Sequence, residues 1–213
     1  MLGRVSARET ADLWYASRAT GVVALVLLTL VLVLGVAVNR QGRLPGLPRF
    51  AATSLHRSVA LLAVTFVAVH VGTAIADPFV SIGIAAAVVP FVSPYQPFWL
   101  GVGAVSVDLM LALLVTSLLR GRIGRRTWRG VHWLSYAAWP VALAHSIGSS
   151  TDLQHGYLLW LGIGCAAAVL AAASWRLVAA ITAPRRAALP ARTLAAAAAA
   201  AAEQPMTTGA DAR

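Results

Sequence analysis

Long apolar runs alternate with short arginine-rich or proline-rich segments along the chain. The runs cover, in order, residues 20–38, 52–76, 98–119, 128–147 and 157–181. Because a helix needs roughly 20 apolar residues to cross the ~30 Å hydrocarbon core, each run is long enough for one transmembrane helix. The runs are far longer than the strands of a membrane barrel. The pattern therefore predicts an all-α fold, a polytopic membrane helical bundle with about five transmembrane helices.

The connecting segments differ in charge. The segments 39–49 and 120–129 hold three and five arginines and no acidic residue. The segments 77–97 and 148–156 hold no arginine and one aspartate each. Arginine-rich short loops face the cytoplasm. We therefore expect a multi-pass protein of the inner (plasma) membrane with its C-terminus cytoplasmic and its N-terminus external.

Three further segments lie outside the five runs. Residues 1–19 are mixed polar with two adjacent aromatic residues, which predicts an N-terminal segment at the membrane interface. Residues 78–97 are apolar but contain four prolines, so a re-entrant or interfacial loop is expected. Residues 182–213 include eight consecutive alanines and are predicted to be a flexible cytoplasmic tail. The bundle itself is predicted over residues 20–181.

Composition supports a membrane protein. The chain is 59% hydrophobic and 11% charged, whereas a soluble domain carries about 25% charged residues. All 17 basic residues are arginines and the net charge is +10. We attribute that charge to membrane topology and expect lipid, not nucleic acid, as the surroundings. The single cysteine, Cys165, is expected to be a small apolar packing residue, and no C-x-x-C-H motif for covalent haem attachment is present.

Four histidines lie within two of the apolar runs. In the second run His70 follows His56 by fourteen positions, and in the fourth run His145 follows His132 by thirteen. At a rise of about 1.5 Å per residue these spacings correspond to ~21 Å and ~19.5 Å along a helix. Since the second and fourth spans cross the membrane in the same direction, His56 is expected to face His132 and His70 to face His145, at two depths.

The angular positions on ideal helices place the two histidines of the second run on one side of the helix, but not the two histidines of the fourth run. The longer spacing leaves His56 and His70 within roughly 40° of one another, whereas the shorter one leaves His132 and His145 about 140° apart. Pro140 lies between the latter two, and we expect a kink there to redirect one of the rings.

The expected cofactor is haem. Zinc needs its ligands in one tetrahedral cluster, which separations of ~20 Å within each helix exclude. Two histidines at each of two depths suit two non-covalent b-type haems, each with both axial positions occupied. This arrangement favours electron transfer over oxygen binding at the iron.

Other polar or aromatic residues have two interpretations each. Arg57 and Arg129 are placed either to pair with haem propionates at the inner site or to act as ordinary topology anchors. Trp139 lies between the two depths and serves either electron passage or packing. Asp108 either handles protons or hydrogen-bonds a neighbouring helix. His155 is expected to be a solvated loop residue.

The S-R-A-T-G stretch at 17–21, followed by H-x13-H and H-x12-H on alternate spans, resembles the ferric reductase-like transmembrane domain family. That family includes the membrane halves of ferric reductases and NADPH oxidases and the haem-binding subunit of bacterial methionine sulfoxide reductase systems. The likeness covers about residues 13–181. It implies that His56, His70, His132 and His145 ligate b-type haems that carry electrons across the membrane.

The chain also departs from the larger family members. It has one span fewer than six-span members, and no flavin or nicotinamide domain is predicted after residue 181. We therefore expect an oxidoreductase subunit that takes electrons from a quinol or a partner flavoprotein. The acceptor is expected to be ferric iron or a partner reductase. Two alternatives stay open: a non-redox small transporter or scaffold, and a different four-helix cytochrome b type with quinol as its direct donor.

Overall fold

The computed structural model describes residues 7–39, 48–78, 80, 82–150 and 155–182, so most of the first basic loop and of the alanine-rich tail lies outside the described residues. Within these ranges the protein is helical and contains no strand. The helices are α1 (Ala7–Asn39), α2 (Arg49–Ala76), α3 (Ile84–Val88), α4 (Pro97–Leu118), α5 (Arg120–Ile123), α6 (Arg125–His132), α7 (Ser135–Ser149) and α8 (Gly156–Ile181). The predicted all-α class is confirmed.

Four of the described helices are long and apolar enough to cross a membrane. Their spanning stretches are Ala11–Val38, Phe50–Ala76, Pro97–Leu118 and Gly156–Ile181. They correspond to the first, second, third and fifth predicted spans. The segment of the predicted fourth span is built differently, from α6 and α7 in succession. The chain is therefore a multi-pass helical membrane protein.

The first helix begins earlier than the predicted span. Residues 7–19 continue α1 without a break, although they were expected to form a separate interfacial segment. They contain no glycine or proline, so nothing in the sequence interrupts the backbone hydrogen bonding before the apolar run begins. In the second helix the chain stops being helical at Ala76, because Pro78 disfavours the helical conformation of Asp77 before it.

The helices form two antiparallel pairs. Helix α2 packs along α1, and α7 and α6 pack along α4. Contacts between α1 and α7 join the two pairs. The described residues up to Arg176 form one compact unit, and the end of α8 from Leu177 is not part of it.

Small residues and one tryptophan fill the centre of the bundle. Leu32 of α1, Trp139 of α7 and Cys165 of α8 form a buried cluster. The indole Nε1 of Trp139 donates to the hydroxyl of Thr29 at 2.9 Å, and both residues are buried. Membrane helices associate through close packing and interhelical hydrogen bonds because lipid removes the hydrophobic drive between them.

A tightened stretch of backbone separates α6 from α7. The amide N–H groups of Leu134, Tyr136 and Ala137 each donate to the carbonyl three residues earlier, at 2.9–3.1 Å. Such bonds are those of a 3₁₀-helix, which advances ~120° per residue where an α-helix advances ~100°. The added rotation is in the direction that closes the gap of about 140° between the two histidines.

The tightened stretch lies N-terminal to Pro140, and the kink expected at Pro140 itself stays a prediction. Helix α7 runs through Pro140 itself. Proline has no N–H, so the carbonyl of Tyr136, four residues earlier, cannot accept the usual helical bond. The tight turns lie immediately before and around Tyr136, where the regular bonding pattern is already interrupted.

The proline-rich segment after α2 folds as the short helix α3 and a series of turns that pack against α4. The ring of Phe91 lies directly on the backbone of Gly101, where an added Cβ would overlap the ring. Glycine at this position lets the segment approach α4 closely. The segment lies beside the N-terminal end of α4, which also carries part of the site described next.

Candidate functional site

The first histidine pair is formed by His70 and His145. Their ring centres are 6.4 Å apart and the ring planes cross at 68°. His70 comes from α2 and His145 from α7, so each antiparallel helix pair contributes one ring.

The second predicted pair, His56 and His132, has one ring on α2 and one on α6. His56 lies near the start of α2, and His132 is the last residue of α6. The ring of His132 stacks on that of Trp128, with centres 4.9 Å apart and planes 24° apart. The structure therefore brings His70 and His145 together, and the pairing of His56 with His132 stays a prediction.

Three of the four imidazoles are hydrogen-bonded to backbone carbonyls of a neighbouring helix through Nδ1. The bonds join His56 to Val31 at 3.1 Å, His70 to Ser17 at 2.7 Å and His145 to Trp99 at 2.8 Å. A carbonyl oxygen only accepts, so Nδ1 carries the proton and Nε2 keeps a free lone pair. Histidines that bind a metal through Nε2 commonly donate the Nδ1 proton to a nearby carbonyl in this way, which fixes the orientation of the ring.

A glycine lies against each of these three rings. An added Cβ would come within 3.3 Å of His56 at Gly35, 3.0 Å of His70 at Gly21 and 2.7 Å of His145 at Gly103. In each case the glycine stands four residues after the carbonyl that the imidazole binds. The rings therefore rest directly on helix backbone, at places where a side chain would keep them away.

His132 is surrounded differently. Its Nδ1 is buried and has no hydrogen-bond partner among the described residues. The stacked Trp128 donates from Nε1 to the hydroxyl of Ser117 on α4 at 3.4 Å. The imidazole of His132 therefore contacts a tryptophan ring that is hydrogen-bonded to a serine, whereas each of the other three imidazoles contacts a glycine and a backbone carbonyl.

The geometry of the His70–His145 pair suits two axial ligands of one metal. With a metal–nitrogen bond of about 2.0 Å and the ring centre about 1.1 Å behind the nitrogen, the two ring centres lie ~6.2 Å apart. The observed separation is 6.4 Å. Within the described ranges no group of three or more histidine, cysteine, aspartate or glutamate residues could hold a bare ion. The donor set therefore fits a metal that brings its own equatorial ligands, as haem iron does.

Arginines stand at both ends of the site. Arg57 follows His56 and Arg129 precedes His132 by three residues, and both side chains are exposed. At the other end, Arg18 directly follows Ser17, the carbonyl partner of His70.

Arg18 is the residue that the sequence interpretation overlooked. Its Nη2 donates to the hydroxyl of Ser150 at the end of α7 at 2.9 Å, and its guanidinium lies 4.3 Å from the ring centre of Trp14. Because residues 1–19 were expected to form a separate segment, no arginine was expected near the His70–His145 pair. The S-R-A-T-G stretch, which contains Arg18, was the available signal.

The remaining candidate residues are placed as follows. Trp139 is buried between the two depths and hydrogen-bonded to Thr29. Asp108 lies half-buried on α4, and Cys165 is buried in the central cluster. His155 is exposed before α8.

The chain is thus a helical membrane bundle whose four membrane histidines lie on α2, α6 and α7, the arrangement expected of a membrane redox protein. Comparison with known families agrees with this class: the model of the "Ferric reductase like transmembrane component" family matches residues 20–143, more than half of the chain. The protein belongs to this ferric reductase-like family, and membership supports a role in membrane electron transfer. The matched region contains His56, His70 and His132 and ends two residues before His145. No curated protein and no solved structure matches the chain.

Proposed function

We propose that the protein is a b-type cytochrome that passes electrons across the membrane through two bis-histidine haems. His70 and His145 ligate one iron and His56 and His132 the other, through Nε2. The observation that carries the proposal is the facing of His70 and His145 at 6.4 Å with both Nδ1 atoms bonded to backbone.

The residues around the histidines support this assignment. Backbone acceptors at Nδ1 fix the ring orientation and increase the basicity of Nε2. Haem bound in this way supplies a one-electron carrier with no open coordination position. Arg57 and Arg129 at one end, and Arg18 at the other, provide positive charge for the propionates.

In this proposal the donor is a quinol or a partner flavoprotein. The acceptor is ferric iron or a partner reductase. The two sites stand ~20 Å apart along the helices, with Trp139 between them. Haems held at both sites would divide the crossing into steps that are each shorter than the membrane is thick.

A non-redox role for the histidines is less consistent with their arrangement. Histidines that serve only to hold helices together use their nitrogens in interhelical hydrogen bonds. Here the Nδ1 atoms make bonds of that kind, but the ring centres of His70 and His145 also lie 6.4 Å apart, a separation that suits a shared metal and that a purely structural role does not require.

The test is a reduced-minus-oxidised absorbance spectrum of the purified protein expressed with ample haem, together with extraction of the haem for quantification. We expect haem b bands and two haems per chain. The control is the double variant His70→Ala with His132→Ala, checked for helical content by circular dichroism, which should fold and bind none. Wild-type protein without haem bands would overturn the proposal.

A further inference from the structure

We propose that Gly21, Gly35 and Gly103 are positioning residues that orient three of the ligand imidazoles by exposing one backbone carbonyl each. The consequence for haem rests on the proposed function. The hydrogen bonds themselves belong to the polypeptide and can be measured without haem.

The physical basis is the direction of side chains on a helix. The Cα–Cβ bond tilts toward the helix N-terminus, so a side chain covers the turn that precedes its own residue. The carbonyl four residues earlier lies in that turn, where it accepts the glycine's own N–H. Without a Cβ at the glycine, the second lone pair of this carbonyl is open to a donor from another helix.

The same relation occurs three times. Gly21, Gly35 and Gly103 each leave open the carbonyl four residues before them, and each of those carbonyls accepts from a histidine Nδ1. On α1 the step from Gly21 to Gly35 equals the step from His56 to His70 on the antiparallel α2. A single alignment of α1 against α2 therefore places a glycine and a carbonyl acceptor next to both His56 and His70.

The second helix pair repeats this arrangement once. The same step along α4 leads from Gly103 to Ser117, which carries a side chain where α1 has its second glycine. His132 accordingly has no backbone partner at Nδ1 among the described residues and is held by stacking on Trp128, which Ser117 anchors. The ligand set is thus three histidines fixed by backbone and one fixed by an aromatic ring.

The expected effect of each Gly→Ala substitution depends on the distance from the added Cβ to the nearest imidazole atom. An added Cβ would come within 2.7 Å of the ring at Gly103, 3.0 Å at Gly21 and 3.3 Å at Gly35. The first must displace His145, and the last needs a shift of only a few tenths of an ångström. Gly72 on α2 and Gly164 on α8 have nothing within 4 Å of an added Cβ, so they are matched controls.

The experiment compares these alanine variants by two measurements. Solid-state nitrogen NMR of histidine-labelled protein without haem reports which ring nitrogen carries the proton. We expect the Nδ1–H form for His56, His70 and His145, and loss of that form for His145 alone in Gly103→Ala. In loaded protein we expect Gly103→Ala to lose half of the haem. Gly35→Ala should keep both haems with a shifted low-spin EPR signal for one of them. Both controls should match wild type.

The outcomes separate this inference from the proposed function. Gly103→Ala with wild-type nitrogen shifts and full haem content would overturn the inference while leaving the cytochrome assignment intact. Wild-type protein that shows the Nδ1–H form but binds no haem would overturn the cytochrome assignment and leave the carbonyl arrangement standing. If Gly103→Ala does not fold, Gly35→Ala decides: spectra like those of Gly72→Ala count against the inference.

Discussion

The hydrogen bond between Trp139 and Thr29 permits a quantitative test of the bundle core. It joins α7 to α1 at 2.9 Å, and the two residues are 8% and 5% exposed. The substitution Thr29→Val keeps the shape of the side chain but removes the acceptor. The threonine hydroxyl also donates to the Leu25 carbonyl, but that oxygen is already positioned for the regular helical bond, so losing the donor there costs little.

The expected cost of Thr29→Val has two parts. Interhelical hydrogen bonds in membrane proteins average about 0.6 kcal/mol and reach about 1.7 kcal/mol. The indole N–H left buried without a partner adds a desolvation penalty, which brings the total to about 1–3 kcal/mol. The double variant Thr29→Val with Trp139→Phe leaves no donor without a partner. It should therefore lose about 1 kcal/mol less stability than the sum of the losses measured for the two single variants.

The assay is unfolding by sodium dodecyl sulfate in mixed micelles, followed by circular dichroism. Thr65→Val is the control, because this exposed threonine on α2 makes the same bond to the carbonyl four residues earlier and no other described one. Equal unfolding curves for Thr29→Val and Thr65→Val, together with additive costs in the double variant, would refute the hydrogen bond and the α1–α7 packing around it.

Three further predictions follow from the same packing. His70→Ala and His145→Ala should each lose one haem of two with the same residual spectrum, because both remove a ligand of one iron; different residual spectra would contradict the pairing. Arg176→Gln should destabilise the fold by about 0.5–2 kcal/mol in the same unfolding assay, since it loses the cation 5.0 Å from the Trp133 ring; no change would show that α8 does not dock there. Cys165, 6% exposed, should react slowly with a maleimide in mild detergent and quickly in sodium dodecyl sulfate, and fast reaction in both would contradict its burial.

The spans and the histidine pairs could be predicted from the sequence because both depend on regular helix geometry. Apolar run lengths locate α1, α2, α4 and α8, and a constant rise per residue places two histidines at each of two depths. The family resemblance rested on the same histidine spacing, and the family match confirms it.

Other features depend on departures from that regularity or on contacts between helices. The overwound backbone before Tyr136 arises from local bonding, and the sequence indicated only that a proline was near. The role of Gly21 and Gly35 depends on the register of α1 against α2. Their spacing was visible, but nothing in a single sequence connected it to the histidines. Arg18 was missed because the first helix was expected to begin after it.

The two antiparallel helix pairs also have a consequence for assembly in the cell. Each proposed iron takes one histidine from the α1–α2 pair and one from the α6–α7 segment, so neither pair holds a complete site alone. If haem is bound as proposed, it stabilises only the arrangement in which the two helix pairs are packed together. On that proposal we expect the protein to be degraded faster in haem-starved cells than in haem-replete cells, so that haem supply would affect its abundance.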